Sequence, residues 1–280
     1  MIRLAVRTRP EHAERVLAEL IELAPGGVEE DRGESYVEYA IYGPPGEVPE
    51  LPDLEAAAGD GFVEITSTEV PDDWADRWQE FHRPVVVGGR LTVRPSWVDA
   101  DECEAGGAIE IVIDPARAFG TGAHATTRMC LELLLEHADA VGARGAFADW
   151  GTGSGVLAIA AAKLGYSPVS ACDHEPASLD AARTNAAANG VELDLARINL
   201  REQAALSAPT VAANLTAPVL LAVANRLADQ GGEPPDALIC SGLLAGEVEP
   251  VVAAFGECGL AVRDRRADGE WRALLFAASS

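Results

Sequence analysis

The sequence predicts an α/β protein: an open, mostly parallel sheet with helices on both faces, preceded by a smaller α+β unit. Three observations carry this. From residue 124 onward, helical stretches alternate with short apolar runs at 146–149, 168–172, 210–213, 236–240, 260–264 and 271–277. Strand–helix alternation of that kind builds parallel sheets through crossovers. The first run is followed at once by Gly151, Gly153 and Gly155 and then by a helical stretch, a tight strand-to-helix turn. Finally, the 280 residues fit about two domains.

The elements follow in order. Residues 2–8 alternate, with Ile2, Leu4 and Val6 on one face of a strand. Thr8 and Glu11 form a capping-box pattern ahead of Ala13, Val16, Leu17, Leu20, Ile21 and Ala24, which recur at helical spacing. Pro25, Gly26 and Gly27 end that helix. Strands at 28–31 and 35–42, a Pro-rich loop at 43–53, a short helical piece at 54–58 and a strand at 62–68 complete a small unit of ferredoxin-like type. In the connector after it, Trp74, Trp78 and Phe81 share one helix face. A hairpin turning at Gly88 and Gly89 is expected over 85–98, and a strand over 108–113. The last two apolar runs have only residues 265–269 between them, so the final strand returns antiparallel. The boundaries are 1–67 for the small unit, 68–84 for a helical linker and 85–280 for the larger domain.

Composition excludes several classes. Asp and Glu total 45 against 21 Lys and Arg, a formal charge of −24. Like charge repels a phosphate backbone and anionic lipid, so neither nucleic acid nor a membrane is expected as a partner. No basic, apolar leader pattern is visible, nor a stretch of about 18 uncharged apolar residues. Cys103, Cys130, Cys172, Cys240 and Cys258 are scattered, and the five histidines never fall at metal-ligand spacing. Reduced thiols in the cytoplasm and no bound metal are the expectation.

The strongest chemical signal is residues 148–165, ADWGTGSGVLAIAAAKLG. A second apolar run ends at Asp173, 22 residues after Gly151, where an acid is placed to bind ribose hydroxyls. A dinucleotide fingerprint reads G-x-G-x-x-G. Here the third glycine comes one residue early and Val156 takes its place. Asp149 precedes the loop and Asp173 ends the next strand. Acids at both strand ends suit a ligand with a ribose and a cationic amino-acid tail, as in S-adenosyl-L-methionine. Asp173 also competes for a helix-capping role before Glu175 and Pro176.

A second stretch, DPARAFGTGAHATT at 114–127, could cover a bound cofactor or form only a turn. With residues 128–134 after it, then the glycine loop, ANLTAPVL and SGLLAGEVEPV, it resembles the PrmA-type ribosomal-protein methyltransferases. The connector DDWADRWQEFHRPVVVGGRL is similar to theirs as well. The resemblance covers residues of roughly 70–280. It implies a seven-stranded, Rossmann-like class I methyltransferase domain using S-adenosyl-L-methionine. It implies methylation of lysine side-chain and N-terminal amines of large-subunit ribosomal protein eleven, with the small N-terminal domain recognising that protein. Family cofactor contacts map onto Thr127, Gly151, Asp173 and Asn214, and Phe119, Gly120 and Thr121 belong to the loop that closes near the cofactor. The chain departs from the family pattern at Ala125, where proline is common, at Thr216, and at His174, Glu175 and Pro176.

Asn214, at the end of an apolar strand, could offer carbonyl oxygens to the substrate amine or cap the next helix. It is the candidate catalytic residue. Thr127, Gly151, Gly153, Gly155, Asp149, Asp173, Asn214, Phe119, Gly120 and Thr121 are the candidate cofactor residues. His124 is expected to serve the loop structurally. A methyltransferase acting on another protein or a small molecule remains the alternative, and a nicotinamide oxidoreductase is disfavoured by Val156.

Overall fold

The computed structural model describes residues 2–13, 16, 17, 20, 29–33, 36–43, 62–69, 83–98, 109–114, 122–230 and 233–278. The chain divides into two compact units, Met1–Phe81 and His82–Ser280. The proposed connector helix bearing Trp74, Trp78 and Phe81 lies outside the described residues, as do the 54–58 piece and residues 119–121.

In the first unit, β1 (Ile2–Thr8), β2 (Glu29–Arg32), β3 (Val37–Gly43) and β4 (Phe62–Glu69) form one sheet. Its order is β2-β3-β1-β4 and every neighbouring pair is antiparallel, the ferredoxin-like arrangement. Leu4 and Val6 face Ala13, Val16 and Leu20 of the helical stretch after β1, together with Val37, Tyr39 and Ile41. On the opposite face Glu38 is buried between Arg3 at 2.6 Å and Arg7 at 2.5 Å. Burial alone would raise the Glu38 carboxyl, but the two arginines outweigh it and hold it below the usual range. The helix cap falls at Arg9, one residue later than the Thr8–Glu11 pattern predicts. Thr8 pairs within β1, and the first helical turn, Pro10–His12, is capped by Arg9 without a side-chain bond. Pro10 supplies the start instead, because its φ is preset and it has no N–H to satisfy.

The second unit begins with β5 (Val85–Val87), β6 (Leu91–Arg94) and β7 (Ile109–Val112). β5 and β6 are an antiparallel hairpin around Gly88 and Gly89, and β6 runs parallel to β7. The main sheet comprises β8 (Phe147–Trp150), β9 (Val169–Asp173), β10 (Asp194–Arg197), β11 (Thr210–Asn214), β12 (Ala237–Leu244), β13 (Leu260–Asp268) and β14 (Trp271–Ala278). The order is β10-β9-β8-β11-β12-β14-β13. The strands are parallel except β14, which is antiparallel to both neighbours. The helices are α1 (Ala125–Val141), α2 (Val156–Leu164), α3 (Pro176–Ala188), α4 (Ala217–Gln230) and α5 (Val248–Glu257).

Two apolar layers sandwich this sheet. One gathers α1 and α2 against Phe147 and Ile239, and the other gathers α4 and α5 against Ala148, Trp150 and Val211. Successive β8 residues therefore feed opposite layers, as a doubly covered parallel strand must. Two boundaries differ from the pattern-based expectation. β10 was not expected as an apolar run, because its residues Asp-Leu-Ala-Arg sit on the sheet edge with both ends exposed. The final hairpin is also tighter: β13 continues through Asp268, leaving Gly269 and Glu270 to turn.

Phe255 of α5 is fully buried and packs on Phe276 of β14 at a ring separation of 5.5 Å. F255A is expected to cost about 3–5 kcal/mol of stability, measured by urea unfolding. Truncation of the exposed Val141 should stay within about 0.5 kcal/mol.

Candidate functional site

From β8 the chain moves outward to β9 and β10, then returns to place β11 on the other side of β8. That reversal leaves a crevice at the carboxyl ends of β8 and β11, where ligands of open α/β sheets bind. Residues 151–155 turn there. Gly151, Gly153 and Gly155 have φ of 74°, 51° and 86°, a region side chains other than glycine rarely adopt.

External bonds hold this turn. The N–H groups of Gly151 and Thr152 both donate to the Cys172 carbonyl at 2.9 Å. The Gly153 N–H donates to Asp173 Oδ2, and the Glu175 N–H to Asp173 Oδ1, each at 3.0 Å. Asp173 thus bridges the glycine turn and the start of α3, whose own cap position is Glu175. A carboxylate offers about four acceptor sites, so further donors such as ribose hydroxyls can still be accommodated.

Asp149 is fully buried beneath the turn. Its Oδ2 accepts from Thr152 Oγ1 at 2.7 Å and from the Ala158 N–H at 3.2 Å. Its Oδ1 has no hydrogen-bond partner among the described residues. Burial pushes its carboxyl up to about 7, and the nearby Asp173 adds to the rise. Burial also pushes the Cys172 and Cys240 thiols up to about 12, so neither supplies a thiolate at neutral pH.

Asn214 ends β11, half-buried, and its Nδ2 donates to Oγ1 of the fully buried Thr127 at 3.3 Å. These two residues, 87 apart in sequence, meet across the α1 face of the sheet. Asn214 does not begin the next helix; the Thr216 carbonyl accepts from Val219 and Leu220 at its first turn. Between them, Leu215 occupies space that two glycines leave open. A Cβ on Gly151 would lie 2.3 Å from Leu215 Cδ2, and one on Gly242 would lie 2.5 Å from the Leu215 carbonyl oxygen. Leu215 and Gly242 were missed in the sequence. Their one signal is an isolated glycine inside an apolar strand run.

His124 caps α1, its Nδ1 accepting from the Thr126 N–H at 3.3 Å, and its ring lies edge-on to Trp271 at 5.1 Å. Burial, then Arg128, lower its pKa, which fits a structural role. Phe119, Gly120 and Thr121 lie outside the described residues. The structure therefore joins Thr127 to Asn214, Gly153 to Asp173, and Asp149 to the turn and α2.

The residues fit an S-adenosyl-L-methionine site: a turn of three left-handed glycines that brings the backbone to the crevice, with Asp173 at the end of the next strand keeping acceptor capacity beyond its two backbone bonds. A seven-stranded sheet of this order with that turn at its reversal point defines a class I S-adenosyl-L-methionine-dependent methyltransferase. The profile of "Ribosomal protein L11 methyltransferase (PrmA)" matches residues 51–279. A ribosomal protein L11 methyltransferase of Pelotomaculum thermopropionicum is 42% identical over 211 residues, 75% of this chain and 67% of the relative. One from Geotalea uraniireducens is 38% identical over 237 residues, covering 77% and 72%. The crystal structure of the ribosomal protein L11 methylase from Lactobacillus delbrueckii subsp. bulgaricus superposes with a TM-score of 0.62 at 29% identity. It covers 71% of this chain and 100% of that one. The chain belongs to the ribosomal protein L11 methyltransferase (PrmA) family.

Two outcomes test this geometry. Gly242 has φ +86°, so G242A should cost about 1–2 kcal/mol in left-handed strain alone. It should also displace Leu215 and weaken S-adenosyl-L-methionine binding, measured by urea unfolding and calorimetric titration. For Asp149, the folded protein holds the proton to about pH 7 while the unfolded chain releases it near 3.8. The folded state then binds more protons between these values, so this carboxyl withdraws stability as pH rises through that window. D149N should gain stability relative to the unaltered protein from about pH 4 to 7, read by unfolding at several pH values.

Proposed function

We propose that this methyltransferase acts on ribosomal protein L11, methylating lysine side-chain and N-terminal amines. The observation that carries this reading is the pairing of Asn214 with Thr127 beside the glycine cradle, in a chain of this family. Gly151, Gly153 and Gly155 bring the backbone close to the cofactor, and Asp173 takes the ribose hydroxyls. Asp149 supports the cofactor from beneath, through its bonds to Thr152 and the Ala158 N–H, and Phe119, Gly120 and Thr121 close near the cofactor. S-adenosyl-L-methionine would supply the methyl group from its sulfonium, whose methyl–sulfur bond breaks as the electron pair stays on sulfur and a neutral thioether leaves. Thr127 occupies Nδ2 of Asn214, leaving Oδ1 to accept a hydrogen bond from the substrate amine and aim its lone pair at the methyl carbon. Orientation of this kind supplies much of the rate. The amine must be neutral, against an ordinary lysine pKa near ~10.4, and a site closed to water favours the neutral form. The amine nitrogen gains the methyl and gives up a proton, ultimately to solvent.

Within this reading residues 1–67 recognise the protein substrate, 68–84 connect, and 85–280 catalyse. A ribosomal protein carries the basic surface that RNA binding needs, which the net charge of −24 complements. That charge argues for free protein, in the cytoplasm, over RNA-coated particles or membranes. Among the described residues no helix is long and apolar enough to cross a membrane.

Mass spectrometry of ribosomal protein L11 after incubation with the enzyme and S-adenosyl-L-methionine should show methyl increments on lysines and the N-terminus. Labelling of other proteins or a small molecule, with L11 untouched, would overturn the substrate. N214A should lower the transfer rate on the order of 100-fold with little change in melting temperature.

A further inference from the structure

Strand β12 carries one irregularity, and it lies beside the crevice. Its register with β14 pairs Cys240 with Leu274 and Leu243 with Arg272. Ser241 and Gly242 therefore stand opposite the single residue Ala273, which makes a β-bulge. On its other side β12 keeps an unbroken parallel register with β11, where Ser241 pairs with Asn214. Bulges bend the strand locally and re-aim the residues next to an active site.

Ser241 brings the one hydroxyl of the strand sequence ALICSGLL, and it is fully buried. A hydroxyl in such a place needs partners. Its Oγ donates to the Arg272 carbonyl at 2.9 Å, across the bulge. The buried Cys130 thiol of α1 faces the same hydroxyl, whose lone pairs remain free to accept from it. Cys130 lies one turn after Thr127 on that helix. The Ser241 backbone carbonyl accepts the Leu215 N–H at 3.0 Å. Gly242, with φ +86°, leaves the place of its side chain to the Leu215 carbonyl. Leu215 directly follows Asn214. Ser241 thus touches both supports of the Asn214–Thr127 pair: the backbone after Asn214 and the helix that carries Thr127. Being fully buried, it acts through them and not on the substrate.

We infer that Ser241 is a positioning residue for methyl transfer: its hydroxyl locks the bulge to β14, so that the Leu215 backbone, and with it the Asn214 side chain, is held at one place in the crevice. It does so on the reading that Asn214 orients the substrate amine.

The test compares S241A, I239V, N214A and the double variant N214A/S241A, well below each melting temperature. The readouts are kcat and KM on ribosomal protein L11 at saturating cofactor, and S-adenosyl-L-methionine Kd by calorimetry. Ile239 is fully buried two residues earlier, on the same face of β12. I239V therefore loosens the same strand while keeping the hydroxyl. S241A should lower kcat about tenfold, the scale of one lost hydrogen bond, with KM and Kd within about twofold. I239V should leave all three unchanged. In the N214A background S241A should cost nothing further, because Ser241 acts through Asn214. Unchanged kcat in folded S241A overturns the inference, as does an equal loss in I239V or a further loss in the double variant. If S241A does not fold, hydrogen exchange of the unaltered protein decides. The Leu215 N–H should exchange far more slowly than the N–H of the exposed Glu270, and equal exchange overturns the inference. Full activity in N214A would instead remove the catalytic reading of Asn214, and the inference with it.

Discussion

One carboxylate organises the centre of this molecule. Asp173 accepts the Gly153 and Glu175 N–H groups on its two oxygens, joining a turn with almost no intrinsic shape to the start of a helix. Without that bridge the glycine turn would keep the freedom its composition allows. With it, the turn becomes an extension of β9 and α3. Asp149 completes the arrangement from below, tying Thr152 and the first residues of α2 to β8. Two acids in a strongly acidic chain thus act on the backbone first, and the residual acceptor capacity of Asp173 is what a ligand would meet.

A second constraint is the pair of glycines around Leu215. Gly151 and Gly242 stand on neighbouring loop and strand, and each leaves room that a side chain would fill. The Leu215 N–H donates to the Ser241 carbonyl at 3.0 Å, so the turn after Asn214 is pinned from the backbone as well. Asn214 is held at its own end by Thr127 of α1. Each side of the crevice therefore depends on a different helix, α1 on one side and α3 on the other.

Much of this was legible in the sequence for local reasons. The strand-then-glycine pattern marked the cradle, and the spacing from Gly151 to Asp173 placed the acid because one helix and one strand span that interval. The structure adds what local pattern cannot carry. β10 is an edge strand whose exposure erases the apolar signature. Gly242 reads as an ordinary residue of an apolar run until Leu215 arrives from another element. Ser241 and Arg272 are 31 residues apart, and nothing in their neighbourhoods advertises the bond. The cap sits at Arg9 and not at Thr8 because Pro10 takes the first helical position.

The insertion of β14 between β12 and β13 has a kinetic side. Both neighbours precede β14 in the chain, so during vectorial synthesis each waits with an unpaired edge until the later strand emerges. Hairpin formation with β13 is local and fast, whereas docking onto β12 closes a longer loop. The hairpin is then clasped to α1 by pairs between Arg128 and Asp268 and between Arg266 and Glu136. Helix α1 also carries Thr127. Arg266 and Asp268 both lie on β13, so a nascent chain short of β14 carries the residues that meet α1 but lacks the strand that seats them in the sheet.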